Sequence, residues 1–296
     1  MKIYNSKKSE KLIKESYSQL LNLWGIPVTS VDLHGRYGMT HVNVFGKDNA
    51  PPLVLFHGVG DDSALMWVYN AAELGRYFKC YAVDTLGGPG LSLPGPGYDK
   101  TFDDTIWIEE LLDNLKLSKV YMAGVSNGAY LTQSFMMERP GRVLRGVCMA
   151  GALPVFGKKG SMLAILKIFF PEALFPSDKN VVKLIKKITG SKYTVFTENE
   201  ILFKHFKYLM TGFNRKAMMY HKVKGFQKES IDQLKNKCLF IEGEKDPFMK
   251  LGGKKVLQEY NMKVLWINDA GHGINHEAAD AINPVIIYFL NNGKNE

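Results

Sequence analysis

The chain has 296 residues, enough for one large domain or two small ones, because a domain typically takes roughly 100 to 200 residues. Hydrophobic residues make up 46% and charged residues 23%, proportions typical of globular proteins, which excludes the disordered and fibrous classes. The formal net charge is +9, and the excess lies in residues 153–228, which hold fifteen lysines and arginines against four acidic residues.

The N-terminal 14 residues contain five lysines, and no apolar segment of the kind found in a signal peptide follows them. The longest apolar runs, at 162–170 and 281–290, are shorter than the ~18 residues that a membrane span needs. We therefore expect a soluble, cytoplasmic protein.

Short apolar, β-branched runs alternate with amphipathic helical patterns along most of the chain. Apolar and polar residues alternate at 30–34 and 41–45, on either side of Gly35 and Gly38, which predicts an antiparallel hairpin. Buried parallel strands are predicted at 53–56, 80–83, 120–123, 143–149, 238–242 and 264–267. Helices are predicted at 64–77, 101–115, 127–139, 253–260 and 277–290. This order predicts an α/β protein with a mostly parallel, doubly wound sheet after an N-terminal antiparallel hairpin.

The alternation stops between residues 153 and 228. Helical patterns occur there at 161–170, 180–188 and 198–210, with no convincing buried strand between them. We interpret this segment as a helical cap inserted between two strands of the core. The predicted domains are therefore a first part of the core at 1–152, a helical cap insertion at 153–229 and a second part of the core at 230–296.

The sequence Gly124-Val125-Ser126-Asn127-Gly128 lies between a predicted strand and a predicted helix. A nucleophile elbow requires this setting of strand, turn and helix. The turn is tight enough to strain the backbone of Ser126, and glycine at 124 and 128 avoids side chains that would collide there. We therefore predict Ser126 as a catalytic nucleophile.

A serine hydroxyl needs a base that a third group orients. In this kind of fold the chain order is serine, acid, histidine, and open α/β sheets place reactive residues just after their strands. Asp246 follows the predicted strand at 238–242, and His272 follows the one at 264–267. We predict Asp246 as the acid and His272 as the base.

Alternatives to both residues stay open. His276 is the nearest rival to His272, although its place at the start of the last helix favours a helix-face or capping role. Glu244 and Asp269 are the alternatives to Asp246, because an aspartate before proline is also typical of a turn.

A second glycine-rich turn, His57-Gly58-Val59-Gly60, ends the predicted strand at 53–56. Such a turn aims a backbone N–H at the substrate carbonyl oxygen, and the residue after the nucleophile supplies another. We predict an oxyanion hole formed by the backbone N–H groups of Val59 and Asn127, with His57 shaping the loop.

Together these residues resemble the α/β-hydrolase superfamily over nearly the whole chain. The stretches 36–46 and 50–58 are similar to bacterial carboxylesterases of the carboxylesterase NP kind, as is Tyr81-Ala82-Val83-Asp84 with the glycine-rich loop up to Ser92. The resemblance implies an α/β-hydrolase fold with a cap and a triad of the serine, acid and histidine named above. Two departures are Asn127, where an apolar residue is more usual, and the cap, which is the least similar segment.

The predicted function is hydrolysis of a carboxylic ester through an acyl-enzyme, with no metal or organic cofactor. The same triad serves thioesterases, lactonases, perhydrolases and carbon–carbon bond hydrolases, and a ligand receptor with slow turnover is a further alternative. The apolar side chains of the cap predict a preference for apolar esters. They are Met162, Leu163, Ile165, Leu166, Ile168, Phe169, Phe170, Phe203, Phe206, Leu209, Met210, Phe213, Met218 and Met219.

The expected partner is a small-molecule ester. No nucleic-acid motif accompanies the basic segment, so we expect no nucleic-acid partner, and a solvated lysine face is the simpler interpretation. A weak contact between this basic cap and an anionic membrane surface is a further hypothesis. Cys80, Cys148 and Cys238 each lie in a separate apolar run, which predicts reduced core thiols rather than a disulfide or zinc site. The oligomeric state stays open.

Overall fold

The computed structural model describes residues 1–156, 167–170, 172 and 175–292. The strands are β1 (Val28–Gly35), β2 (Gly38–Gly46), β3 (Pro52–Phe56), β4 (Lys79–Val83), β5 (Leu93–Pro94), β6 (Val120–Val125), β7 (Val143–Met149), β8 (Cys238–Gly243) and β9 (Val264–Ile267). The α-helices are α1 (Lys7–Leu21), α2 (Ser63–Met66), α3 (Ala71–Gly75), α4 (Asp104–Asn114), α5 (Asn127–Glu138), α6 (Asp178–Ile188), α7 (Glu200–Gly212), α8 (Lys228–Asp232), α9 (Gly253–Glu259), α10 (Ile274–Glu277) and α11 (Ala279–Asn291).

The strands form a nine-stranded sheet in the order β1-β2-β4-β3-β6-β7-β8-β9, with β5 paired to β2. Strand β2 pairs antiparallel with β1, β4 and β5, and the strands from β4 to β9 along this order pair in parallel. The predicted fold class, a mostly parallel sheet after an antiparallel hairpin, is therefore confirmed. The short strand β5 is an addition to the predicted set.

Both faces of the sheet are covered by apolar layers. Along β3, Leu53 and Leu55 belong to one buried cluster, whereas Val54 and Phe56 belong to the other. A strand buried on both faces has a continuous apolar sequence, and β3 has one. The three cysteines lie buried in β4, β7 and β8 with free thiols.

The prediction of one continuous helix at 64–77 is wrong, because α2 ends at Met66 and α3 begins at Ala71. Asn70 lies in the turn between them and donates a hydrogen bond from Nδ2 to Oδ1 of Asn283 in α11, at 2.7 Å. A bond between residues so far apart in the chain overrides the local helical pattern.

The N-terminal helix α1 is an addition to the predicted set of helices. It packs against α7, where Ser16 bonds through Oγ to Nδ1 of His205 at 2.7 Å. Its buried positions Ile13, Ser16, Tyr17 and Leu20 recur at helical spacing. The start of the chain is therefore joined to the predicted cap.

Between β7 and β8 the described residues include α6, α7 and α8 and add no strand to the sheet. Residues 161–166 of the first predicted cap helix lie outside the described residues, as do Met162, Leu163, Ile165 and Leu166. The domain boundaries at 152 and 229 stay a prediction. None of the helices that the structure describes is both long and apolar enough to cross a bilayer.

Candidate active site

Ser126 lies in the turn that joins β6 to α5, with φ of 55° and ψ of −113°. A residue other than glycine in this region of the backbone costs about 1–3 kcal/mol, so the surrounding structure must hold it there. A Cβ added to Gly124 would clash with the carbonyl of Gly128, and one added to Gly128 would clash with the carbonyl of Phe56. The two glycines therefore allow the sharp turn that exposes the serine.

The structure brings the three predicted triad residues into one hydrogen-bonded chain. Oγ of Ser126 lies 3.1 Å from Nε2 of His272, and Nδ1 of His272 lies 2.8 Å from Oδ2 of Asp246. With Nδ1 donating its proton to the carboxylate, Nε2 is left to accept the serine proton. The carboxylate of Asp246 is fully buried and also accepts a hydrogen bond from the N–H of Phe248 at 2.7 Å.

Phe248, two residues after the acid, covers the imidazole. Its ring centroid lies 4.4 Å from that of His272 and 6.0 Å from that of Phe169, which belongs to the predicted cap. Only about a fifth of the His272 side chain is exposed, at 21%. An apolar cover of this kind strengthens the bond between imidazole and carboxylate by excluding water.

The rival histidine is used elsewhere. His276 donates from Nε2 to the carbonyl of Leu65 at 3.0 Å, and burial lowers its pKa to about 4. Its ring lies against Tyr69 and Phe196.

The rival acids are also bonded elsewhere. Glu244 pairs with Lys254 at 3.3 Å, and Asp269 accepts from the hydroxyl of Ser191. Within the described ranges, Asp246 is the carboxylate that hydrogen-bonds to His272.

Both predicted oxyanion residues belong to segments that adjoin the serine. Asn127 is the first residue of α5, and the loop with Val59 passes so close that a Cβ on Gly58 would lie 3.4 Å from Cβ of Ser126. In the described part of the chain, neither the N–H of Val59 nor that of Asn127 donates to a protein acceptor. Two unsatisfied donors next to a nucleophile suit a developing oxyanion.

His57 has the structural place predicted for it. Its Nδ1 donates to the carbonyl of Gly58 at 2.8 Å, and its Nε2 accepts from the N–H of Thr85 at 3.0 Å. The ring is fully buried, and burial lowers its pKa, which favours the neutral form that both bonds require.

The sequence analysis assigned no role to three residues that lie near the site. Phe248 covers the base, Glu242 at the end of β8 accepts from the N–H of Gly151 at 2.9 Å, and Glu277 lies beside the histidine loop. Burial raises the pKa of Glu242 well above its usual range. A carboxylate in an otherwise apolar strand was the available signal for Glu242, whereas nothing local distinguishes Phe248.

No group of three histidine, cysteine or acidic side chains in the described residues could hold a metal ion. A surface groove of about 680 Å³ lies beside the loop after β9 and is lined by residues such as Tyr69, Val195 and His276. Its lining does not include Ser126. We therefore treat the triad, and not this groove, as the candidate site.

Residues 51–169 match a family model described as alpha/beta hydrolase fold. Over 138 residues, 47% of the chain, the sequence is 34% identical to an uncharacterized carboxylesterase nap and to carboxylesterase YbfK, both from Bacillus subtilis (strain 168). The match spans 46% of the length of either relative. The crystal structure of naproxen esterase (carboxylesterase NP) from Bacillus subtilis superposes with a TM-score of 0.80 at 23% identity, covering 97% of this chain and 100% of that one. The resemblance predicted from the sequence is confirmed.

We expect His272→Ala to lower kcat for a small chromogenic ester by several orders of magnitude, because the proton acceptor is lost. Asp246→Asn should lower kcat by about ten-thousand-fold, because the imidazole loses its orientation. Steady-state kinetics of the two variants measure both losses.

His34→Ala, at an exposed histidine, is the matched control and should turn over like the wild type. An Asp246→Asn variant with near wild-type kcat, beside an inactive Glu244→Gln or Asp269→Asn, would show that a different acid serves the base.

Proposed function

Because this chain has the α/β-hydrolase fold, we propose that it is a serine hydrolase that cleaves carboxylic esters through an acyl-enzyme. The observation that carries the proposal is the hydrogen-bonded chain from Ser126 through His272 to Asp246, built on a strained serine between strand and helix. The likeness to carboxylesterases supports an ester as the substrate class.

In the proposed reaction, Oγ of Ser126 attacks the ester carbonyl carbon while Nε2 of His272 takes the hydroxyl proton. Asp246 holds the imidazole and stabilises its protonated form. The N–H groups of Val59 and Asn127 bind the oxyanion of the tetrahedral intermediate. His272 then returns the proton to the leaving alcohol, and water releases the acid from the acyl-enzyme by the same two proton transfers.

We further propose that the acyl or alcohol group of the substrate is apolar. Support comes from the cap side of the site, where Phe169 reaches the ring of Phe248 over His272. Phe213 supports it too, since its ring lies 3.9 Å from the Cβ position of Gly60 in the oxyanion loop. Phe206 and Met210 of α7 pack against the buried apolar cluster that also contains Phe213 and Leu53 of β3. Part of the predicted apolar set therefore joins the cap to the core.

The remaining proposals concern the setting of the enzyme. A helical cap at 153–229 is supported by α6 and α7, and a cytoplasmic location stays a prediction. Lys179, Lys183 and Lys186 are exposed on α6, opposite its buried positions Val181 and Leu184. This basic face supports the hypothesis of a weak contact with anionic membranes.

A fluorescent organophosphonate should label the protein once, at Ser126, because only an activated serine attacks phosphorus readily. Ser126→Ala should abolish the labelling, and Ser118→Ala, at an exposed serine, should leave it unchanged. Peptide mapping by mass spectrometry locates the label. Labelling of Ser126→Ala at the wild-type rate would refute the proposed nucleophile.

On p-nitrophenyl esters of increasing chain length, each methylene that becomes buried should stabilise the bound transition state by about 1 kcal/mol. This should raise kcat/KM roughly five-fold per methylene until the pocket is full. Acetate, butyrate and hexanoate esters form the series, and a hemisuccinate ester of matched length is the charged control. Faster turnover of the charged ester than of the butyrate would contradict an apolar pocket.

For the membrane hypothesis, we expect binding to phosphatidylserine vesicles that weakens as salt rises, since surface charges are screened. Ser126→Ala should bind equally well in a sedimentation assay. Binding that does not change between low and high salt would argue against an electrostatic contact.

A further inference from the structure

The loop that carries His272 is fixed by backbone contacts on two sides. The N–H of His272 itself donates to the carbonyl of Ile188, in the last turn of α6, at 2.6 Å. On the other side, the N–H of Lys245, beside the acid, donates to the carbonyl of Ala270 at 2.9 Å. The position of the base is therefore shared between the predicted cap and the loop of the acid.

One side chain joins these parts. The carboxylate of Glu277 accepts from the N–H of Gly271, at 3.1 Å to Oε1 and 3.2 Å to Oε2, directly before His272. Its Oε2 also accepts from the N–H of Gly190, at 2.6 Å, just after α6. Glu277 is 3% exposed, so water competes little for these hydrogen bonds.

We propose that Glu277 is a positioning residue for the base: it holds the His272 loop in register with the turn at 188–190 of the cap. This role rests on the proposed function of the Ser126 triad. In the described residues Glu277 forms no hydrogen bond with Ser126 or with the N–H groups of Val59 and Asn127, so it acts on the reaction through the loop.

The packing around the loop requires this arrangement. A Cβ on Gly190 would clash with the carbonyl of Asp269, and one on Gly271 would clash with the carbonyl of Ile188. The cap turn and the histidine loop thus touch backbone to backbone, with no side chain between them to absorb a shift. Nε2 of His272 lies 3.1 Å from Oγ of Ser126, and a displacement of about 1 Å from such a distance costs roughly a hundred-fold in rate.

The two acceptor oxygens of Glu277 suit the role. Burial raises the pKa of Glu277, and Asp246 raises it further, whereas the N–H groups of Gly190, Gly271 and Gly273 oppose that rise. Glutamine at this position keeps one acceptor oxygen and turns an NH₂ group toward backbone donors. Aspartate keeps the carboxylate but withdraws it by one methylene.

The test compares Glu277→Gln and Glu277→Asp with the wild-type protein, and Asp280→Asn, an exposed acid in the next helix, is the matched control. Active-site titration with the organophosphonate counts the competent sites. The phosphonylation rate constant and kcat are then expressed per titrated site, with KM and the melting temperature measured alongside.

We expect Glu277→Gln to lower both rates per site by roughly ten- to a hundred-fold with KM within about two-fold, because proton transfer is impaired and binding is not. Glu277→Asp should recover part of the loss, and Asp280→Asn should match the wild type. If Glu277→Gln does not fold, a lower rate per site in Glu277→Asp supports the role by itself.

Unchanged rates per titrated site in every variant that folds, even with fewer sites or a lower melting temperature, would reduce Glu277 to a structural residue and overturn the proposal. A wild-type protein that is never labelled at Ser126 would instead refute the proposed function, and the positioning role with it. The two failures are therefore distinct.

Discussion

The sharp turn at Ser126 is the constraint on which the arrangement of the site depends. Gly128 lies directly against the carbonyl of Phe56, so the first turn of α5 is set against the end of β3. The chain after β3 is the loop that carries Val59. One close backbone contact therefore brings the turn of Ser126 and Asn127 next to the loop of Val59, and the strain of the serine is held by packing on both sides.

Asp246 and His272 reach the turn of Ser126 because of the strand order. Strands β6, β7, β8 and β9 are neighbours and run in parallel, so the loops after β6, β8 and β9 emerge at the same edge of the sheet. Ser126, Asp246 and His272 each follow one of these strands. The sheet places them near one another, and their exact separation depends on contacts such as those of Phe248 and the turn at 188–190.

The sequence was sufficient for features that have a local pattern. Apolar runs predicted the strands of the sheet, and the motif around Ser126 predicted a turn between strand and helix that the structure contains. The sequence was insufficient where a contact between distant residues determines the local structure. The break between α2 and α3 depends on a bond from Asn70 to Asn283, and the tie between α1 and α7 depends on Ser16 and His205. Neither pair has a signal within its own segment.

The predicted oxyanion loop, which contains Val59, is bonded to parts of the chain that lie outside the predicted catalytic motifs. Asp62, which begins α2, bonds to His205 of α7 at 2.7 Å with both side chains fully buried. Asp84 accepts from the N–H of Ser63 at 2.9 Å and from the hydroxyl of Tyr17 in α1 at 3.0 Å. A buried charge that loses its partner costs several kcal/mol, so α1 and α7 stabilise the loop that contains Val59. The predicted cap therefore contacts both the segment that follows Val59 and the loop of His272, and in the proposed function it supports the oxyanion donors as well as the base.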